Sequence, residues 1–414
     1  MGYIDTYSRL TWLQPDGKKL LVTRALRTFG YGFLAVALGL YLEQLGLTSF
    51  QVGLVLTAAV AGSALMNIFW SLVADRFGRR RTIATMAILM VAGGLVFTVG
   101  DRLWLLILGA FTGTISASSA EVGPFMTVEQ AILPQTAPDE RRTWLFSIYD
   151  TLGNLAGAVG ALFTGTVGLF AQLGLTGASS YRPLFVVYAG IGFLNLLLFL
   201  SLSAGVESGG AEGPRRIAGL HRSAGIVARL SVLFGLDALA GGLVLQSLVA
   251  YWFHLRWGLS PATLGALFFW AGLLSSTSLL AAGWLAQRFG LLNTMVFTHL
   301  PSNLLLVLVP LAPVSWLAVL FFLARTSISQ MDVPTRKSYT MAVVAPDERT
   351  AAAGITNVAR TVASAVSPLA SGAAIAMGAL GLPFFVAGGL KVAYDGLIYA
   401  TFRNVHPPEE QNVS

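Results

Sequence analysis

Twelve long apolar runs separated by short polar breaks set the pattern of this chain. A helix needs roughly 20 apolar residues to cross a bilayer. Runs of that length fall near 20–45, 50–73, 82–100, 103–133, 143–171, 184–204, 226–256, 261–286, 291–311, 315–344, 350–376 and 381–401. Most breaks are a handful of residues, which predicts antiparallel neighbours. The longest polar stretch, GVESGGAEGPRRIAGLHRSAG at 205–225, carries no sustained hydrophobic pattern and reads as a linker. It divides an N-terminal six-helix bundle (1–204) from a C-terminal one (226–414). The predicted fold class is an all-α membrane protein with twelve transmembrane helices.

The polar breaks repeat. ADRFGRRRT at 74–82 and AQRFGLLNT at 286–294 each follow the second run of their half, and APDERR at 137–142 and APDERT at 345–350 each follow the fourth. Asp75 to Asp139 is 64 residues and Gln287 to Asp347 is 60. Two landmarks in the same order at nearly the same spacing point to two pseudo-symmetric halves grown from one unit. With the N-terminus placed in the cytoplasm, fifteen Lys and Arg flank the cytoplasmic ends. The opposite side has only Arg102, Arg182 and Arg256. Basic loops stay cytoplasmic, so both termini and the linker are expected there, in a cell inner (plasma) membrane.

Composition agrees with this pattern. Charged residues make up 11% and apolar residues 55%, against about 25% charged in a soluble chain. The formal net charge of +7 sits in short clusters between apolar runs, without the basic, aromatic-laced face of a nucleic-acid binder. The absence of cysteine rules out disulfides and thiolate metal sites. The first 20 residues are too polar for a cleaved signal peptide. No His-Glu-x-x-His and no nucleotide-cradling P-loop occurs, so neither an enzyme nor an ATP-driven pump is expected, and no metal or cofactor.

The stretch SLVADRFGRR resembles the loop between the second and third helices of the major facilitator superfamily, roughly Gly-x-x-x-Asp-Arg-x-Gly-Arg-Arg, with Ser71 in place of the usual glycine. The second half keeps that glycine as Gly283 but has Gln287 in place of the acid. The resemblance covers almost the whole chain, as six plus six spans. It implies alternating access by two bundles. It also implies a gating role for Asp75, Gly78 and Arg79, with Asp75 holding one half against the other through nearby arginine and the start of the eleventh helix. Glu121 and Asp332 precede Pro124 and Pro334 in the two overlong runs. They predict paired kinks near the cytoplasmic mouth, with Arg336 one turn beyond Asp332.

Ionisable side chains inside a bilayer cost on the order of 2.5–3.5 kcal/mol and mark water, partners or substrate. Spans three and six hold none and span nine only His299, which predicts that the third helix of each three-helix unit faces lipid. Arg360, Asp237 and Arg325 each stand about ten residues into their runs, roughly 15 Å deep. Asn357, Arg360 and Ser364 fall on one stripe, and Arg325, Ser329, Asp332 and Arg336 on another. Asp150 lies shallower, with Asn154 one turn above. Arg24 is expected to snorkel to headgroups, while Lys391 and Asp395, at i,i+4, are expected to pair with each other. Intrahelical support between Arg325 and Asp332 is an alternative for those two residues.

Arg360, Asn357, Arg325, Asp237 and Asn154 are therefore the candidates for binding substrate, and Asp150 and Asp237 for carrying protons. The expected function is proton-coupled efflux of a small organic solute by a monomer in the lipid bilayer. The mid-depth arginines keep uptake or exchange of an anionic metabolite as the alternative. A receptor or scaffold would bind ligand without flux.

Overall fold

The computed structural model describes residues 10–119, 123–207, 220–345 and 348–404. Glu121 and most of the expected linker lie outside them. The described residues are helical, without a strand. Lipid leaves a backbone no partner but itself, so a spanning chain closes its hydrogen bonds locally. The described helices group into twelve spans. The N-terminal half contains span 1 (Pro15–Gln44), span 2 (Ser49–Phe77), span 3 (Arg79–Val99), span 4 (Leu103–Phe111 and Pro124–Ile132), span 5 (Arg142–Phe163 and Thr166–Gln172) and span 6 (Arg182–Leu200). The C-terminal half contains span 7 (Ala224–Leu243 and Gln246–Trp257), span 8 (Pro261–Phe289), span 9 (Leu291–Leu308), span 10 (Ser315–Thr326 and Asp332–Val343), span 11 (Arg349–Ala365 and Ser367–Ala376) and span 12 (Leu382–Phe402).

Local chemistry explains the boundaries. Span 2 starts at a capping box in which Thr48 and Gln51 exchange side-chain and backbone hydrogen bonds, and span 8 starts behind Ser260, whose hydroxyl accepts from the Thr263 N–H. Such caps satisfy amides that have no carbonyl below them. The two repeated loops turn at Gly78 (φ 101°) and Gly290 (φ 83°), angles that glycine adopts without penalty.

The two overlong runs are broken rather than kinked, and the breaks lie deeper than the prolines suggested. In span 4 the first helix stops at Phe111 and the second begins at Pro124. Nine residues of helix reach roughly 14 Å, so the irregular 112–119 stretch that follows the first helix lies near mid-depth and not at the mouth. Span 10 breaks between Thr326 and Asp332 at a comparable depth. Proline at the start of a helix needs no donor, so Pro124 opens the second helix of span 4 instead of bending one. Irregular backbone survives at this depth only if protein or water satisfies it. Span 7 supplies the partners: Gln246 Oε1 accepts from the Ser119 N–H (3.0 Å) and hydroxyl (2.8 Å), and the Ser247 hydroxyl donates to the Ala117 carbonyl (3.1 Å).

Those bonds belong to a seam that closes the face opposite the termini. Ser49 meets Tyr251 across the halves (2.9 Å), the Ser247 hydroxyl also donates to Ala35 O (2.9 Å), and His254 lies 3.7 Å from Glu43. Small residues let the backbones approach. A Cβ on Gly53 would lie 2.6 Å from Pro368 O and 2.9 Å from Gly372 Cα, and one on Gly265 would lie 2.5 Å from Ala161 O. Gly53→Val should therefore wedge this face open. In that background a cysteine replacing Ser49 should react with an impermeant thiol reagent about fivefold faster or more, as overpacking costs about 1–3 kcal/mol. An unchanged rate would mean that the seam yields.

On the terminus-bearing face, carboxylates cap helices. Glu207 accepts from the Arg79 N–H (2.7 Å) and the Arg80 N–H (3.0 Å) at the start of span 3. Glu348, in the repeated APDER loop, caps span 7 through the N–H groups of His221, Arg222 (2.9 Å) and Ser223 (2.9 Å). The Ser223 hydroxyl and then these amides pull the Glu348 carboxyl from the usual 4.5 to about 2. A depressed folded pKa stabilises the fold above the ordinary glutamate range, and that stabilisation fades as pH falls toward the folded value. Glu348→Gln should melt lower at neutral pH and show a flatter pH dependence than wild type between about 4.5 and 2. Parallel melting curves would contradict the cap.

Candidate functional site

A cavity of about 330 Å³ lies between the halves. Spans 1 and 2 and the irregular Gly113–Ser118 stretch of span 4 form one wall, among them Tyr31 and Ser63. The other wall brings Asp237 from span 7, Arg360, Thr361 and Ser364 from span 11, and Lys391 from span 12. The first wall is small and neutral because its span 4 segment is Gly, Thr, Ile, Ser and Ala. The second wall holds the charge.

Asp237 organises it. Its Oδ1 lies 2.5 Å from Lys391 Nζ, and its Oδ2 accepts from Arg336 Nη1 (3.0 Å) and Arg360 Nη1 (3.1 Å). His299 Nε2 stands 3.9 Å from the same carboxylate, and its Nδ1 is 2.8 Å from Asp395. Asn303 donates to the other oxygen of Asp395 (2.8 Å), and Asp332 pairs with Arg336 (2.8 Å). Spans 7, 9, 10, 11 and 12 thus meet in one buried network. Three cations share the Asp237 carboxylate, which offsets much of the cost of burying them.

This geometry corrects three sequence expectations. Lys391 and Asp395 do not pair: Lys391 reaches Asp237 and Asp395 reaches His299, because partners on other helices lie closer than the i+4 neighbour. Asp332 takes Arg336 as its partner and not Arg325. Span 9 is not a plain lipid-facing helix, as His299 is 3% exposed and bonded inward.

The other candidate residues are distributed as follows. Arg325 lies off the cavity wall, and its buried Nε has no hydrogen-bond partner. Asn357 is exposed on the stripe of Arg360, and Asn154 is half-buried. Asp150 is exposed, within electrostatic range of Arg24 in its own half and Lys337 in the other. Asp75 pairs with Arg79 at 2.9 Å and is half exposed; the described ion pairs do not carry it to span 11. Gly78 forms the turn between them.

The N-terminal half has its own buried ion pair, which sequence reasoning missed. Arg27 grips Glu129 bidentately (2.8 and 2.6 Å), and Thr23 (3.0 Å) and the Tyr149 hydroxyl (2.6 Å) donate to the same carboxylate. The Arg27 guanidinium also lies 4.5 Å from the Phe125 ring centre. Glu129 was legible as the lone acid within the apolar run after Pro124. Arg24 does not snorkel: it is 4% exposed, its guanidinium 4.6 Å from the Tyr149 ring centre. Gly153 leaves room for it, since a Cβ there would lie 2.6 Å from Arg24 Nε.

Known proteins place this architecture. Over 94% of both chains the sequence is 27% identical to the uncharacterized membrane protein YJR124C of Saccharomyces cerevisiae. It is 28% identical to the multidrug resistance protein MdtG of Serratia proteamaculans over 69% of each. The fold superposes on a mutant of the nucleoside transporter NupG (TM-score 0.76, 13% identity, 94% of this chain and all of that one). It also superposes on a D-xylose-proton symporter (TM-score 0.71, 15% identity, 92% and 97%). The sequence profile of the Major Facilitator Superfamily matches residues 20–368, and the chain belongs to that family of transporters.

Proposed function

We propose that the protein exports a small organic solute in exchange for protons by alternating access between its two halves, 1–204 and 226–414, joined through 205–225. The observation that carries this reading is the Asp237 carboxylate, which bridges the cavity-lining Lys391 and Arg360 and also holds Arg336. A buried ion pair can be broken only if something replaces the lost partner. A proton on Asp237 neutralises it and frees two cavity-lining cations, Arg360 and Lys391. A solute that donates hydrogen bonds to Asp237 competes with that proton, and competition for one site yields exchange. The name of the MdtG relative supports the outward direction.

Asp150 is the second proton carrier, reached from the terminus-bearing side. That side is cytoplasmic by the Lys and Arg count, so the closed opposite seam corresponds to an inward-open state. Asp75, Arg79 and Gly78 act when this side shuts. Asp332 and Arg336 transmit the state of Asp237 to the break in span 10. Asn357 and Asn154 extend the solute's path, and Arg325, off the wall in this state, joins it as the halves move, in a chain that acts as a monomer.

The wall charge favours a second reading. One carboxylate faces two cations on the cavity, which suits an anionic metabolite taken up or exchanged together with the proton. A solute screen in proteoliposomes under imposed pH gradients of either sign separates the two. Export predicts that an acidic far side drives solute toward it, with flux lost in Asp150→Asn and Arg360→Ala. Flux unchanged in both variants would remove their assigned roles, and binding without flux would identify a receptor.

A further inference from the structure

The second copy of the repeated loop, AQRFGLLNT, has lost the acid and the run of bases that its counterpart carries, and the transport cycle gives it no task. It borders a groove of about 470 Å³ between spans 8, 9 and 12, lined by Leu285, Phe289, Asn293, Thr294, Phe297 and Tyr399, among others. The groove lies outside the central cavity: Phe289 is 53% and Phe297 57% exposed, on a surface that the surrounding chain buries in hydrocarbon.

Two features give it polar chemistry. The Thr294 hydroxyl is buried without a hydrogen-bond partner, in a residue only 3% exposed. Its counterpart in the first loop, Thr82, spends its hydroxyl on Gly78 O at 2.9 Å. An unpaired buried hydroxyl costs about 1–3 kcal/mol, which a carbonyl entering the groove would recover. The basic residue retained by the second loop, Arg288, lies 5.7 Å from the Phe289 ring centre and 5.8 Å from that of Trp284. The exposed cation thus stands beside Phe289, on the groove's aromatic wall.

We infer that this groove binds one anionic phospholipid of the adjoining leaflet, its phosphate on Arg288, an ester carbonyl on Thr294 and its acyl chain along Phe297 and Tyr399. Only lipid reaches this surface in quantity, and a single arginine at a headgroup selects for negative charge. The second loop then differs from the first because it anchors the C-terminal half to the bilayer.

The test is photolabelling of the reconstituted full chain with a diazirine-tailed phosphatidylglycerol and with the same-tailed phosphatidylcholine, mapped by peptide mass spectrometry. Wild type should label 285–298 or Tyr399 about fivefold more with phosphatidylglycerol, the ratio that one arginine confers. Arg288→Gln should abolish the preference, and Thr294→Val should lower labelling by both lipids, with melting temperatures showing both variants folded. Equal labelling of wild type by the two lipids, or a preference that Arg288→Gln retains, would overturn the inference.

Discussion

Asp237→Asn should reduce gradient-driven transport by about a hundredfold or more, the largest functional loss expected of any single change. The amide cannot neutralise Lys391, Arg336 and Arg360, which stand 2.5, 3.0 and 3.1 Å from the native carboxylate. Removing one partner of a buried ion pair costs about 3–5 kcal/mol, and each 1.4 kcal/mol is tenfold. The same change should also lower the melting temperature, so flux and stability have to be read together. Asp237→Asn combined with Lys391→Met removes one stranded cation and should recover much of the stability while leaving transport lost. Recovery of both would make Asp237 a structural tether with no part in coupling.

Glu129→Gln should lower stability by about 3 kcal/mol or more, because it leaves Arg27 buried without its counter-charge. Both side chains are fully inaccessible, and the carboxylate accepts from Arg27, Thr23 and Tyr149. Replacing both ends with apolar residues, as in Glu129→Leu with Arg27→Met, should restore most of the loss, since a well-packed apolar pair is close to neutral in such sites. The double-mutant cycle read by thermal unfolding measures the coupling. Additive losses would show that the pair does not interact as its geometry indicates.

Asp237 and Glu129 also mark how far the sequence could be read. The twelve spans, the six-plus-six repeat and the family resemblance were legible because length and hydropathy are constrained by the bilayer itself. The presence of Asp237 and Arg360 on the cavity followed from the cost of charge at mid-depth, which needs no knowledge of partners. Partner choice was not legible. Lys391 and Asp395 satisfy an i,i+4 rule that holds for exposed helices, but here Asp237 of span 7 takes Lys391, and His299 and Asn303 of span 9 take Asp395. His299 was set aside because a single ionisable residue on span 9 looked like an exception, whereas its ring joins Asp237 to Asp395. Arg24 looked close enough to the headgroups to snorkel, yet Gly153 and Tyr149 make a cradle for it.

The breaks in spans 4 and 10 show a related limit. Pro124 and Pro334 signalled irregularity, but proline tolerates the start of a helix as well as its bending. The depth of the break in span 4 depends on where span 7 can offer Gln246 and Ser247 as partners. That information lies 120 residues or more away in the chain. It is also why the irregular segment can line the cavity: span 7 bonds its Ala117 and Ser119 backbone, and Tyr188 of span 6 bonds its Thr114 carbonyl.

The central claim is that the charge-bearing wall borders a water-filled space opened to one side at a time. The chain contains no cysteine, so a single Ser364→Cys, placed on that wall beside Arg360, reports on the space without background. A charged, membrane-impermeant thiol reagent should modify it from the terminus-bearing side, and a transported solute should slow the reaction. A folded variant whose introduced thiol stays inert to the reagent from both sides would contradict the account.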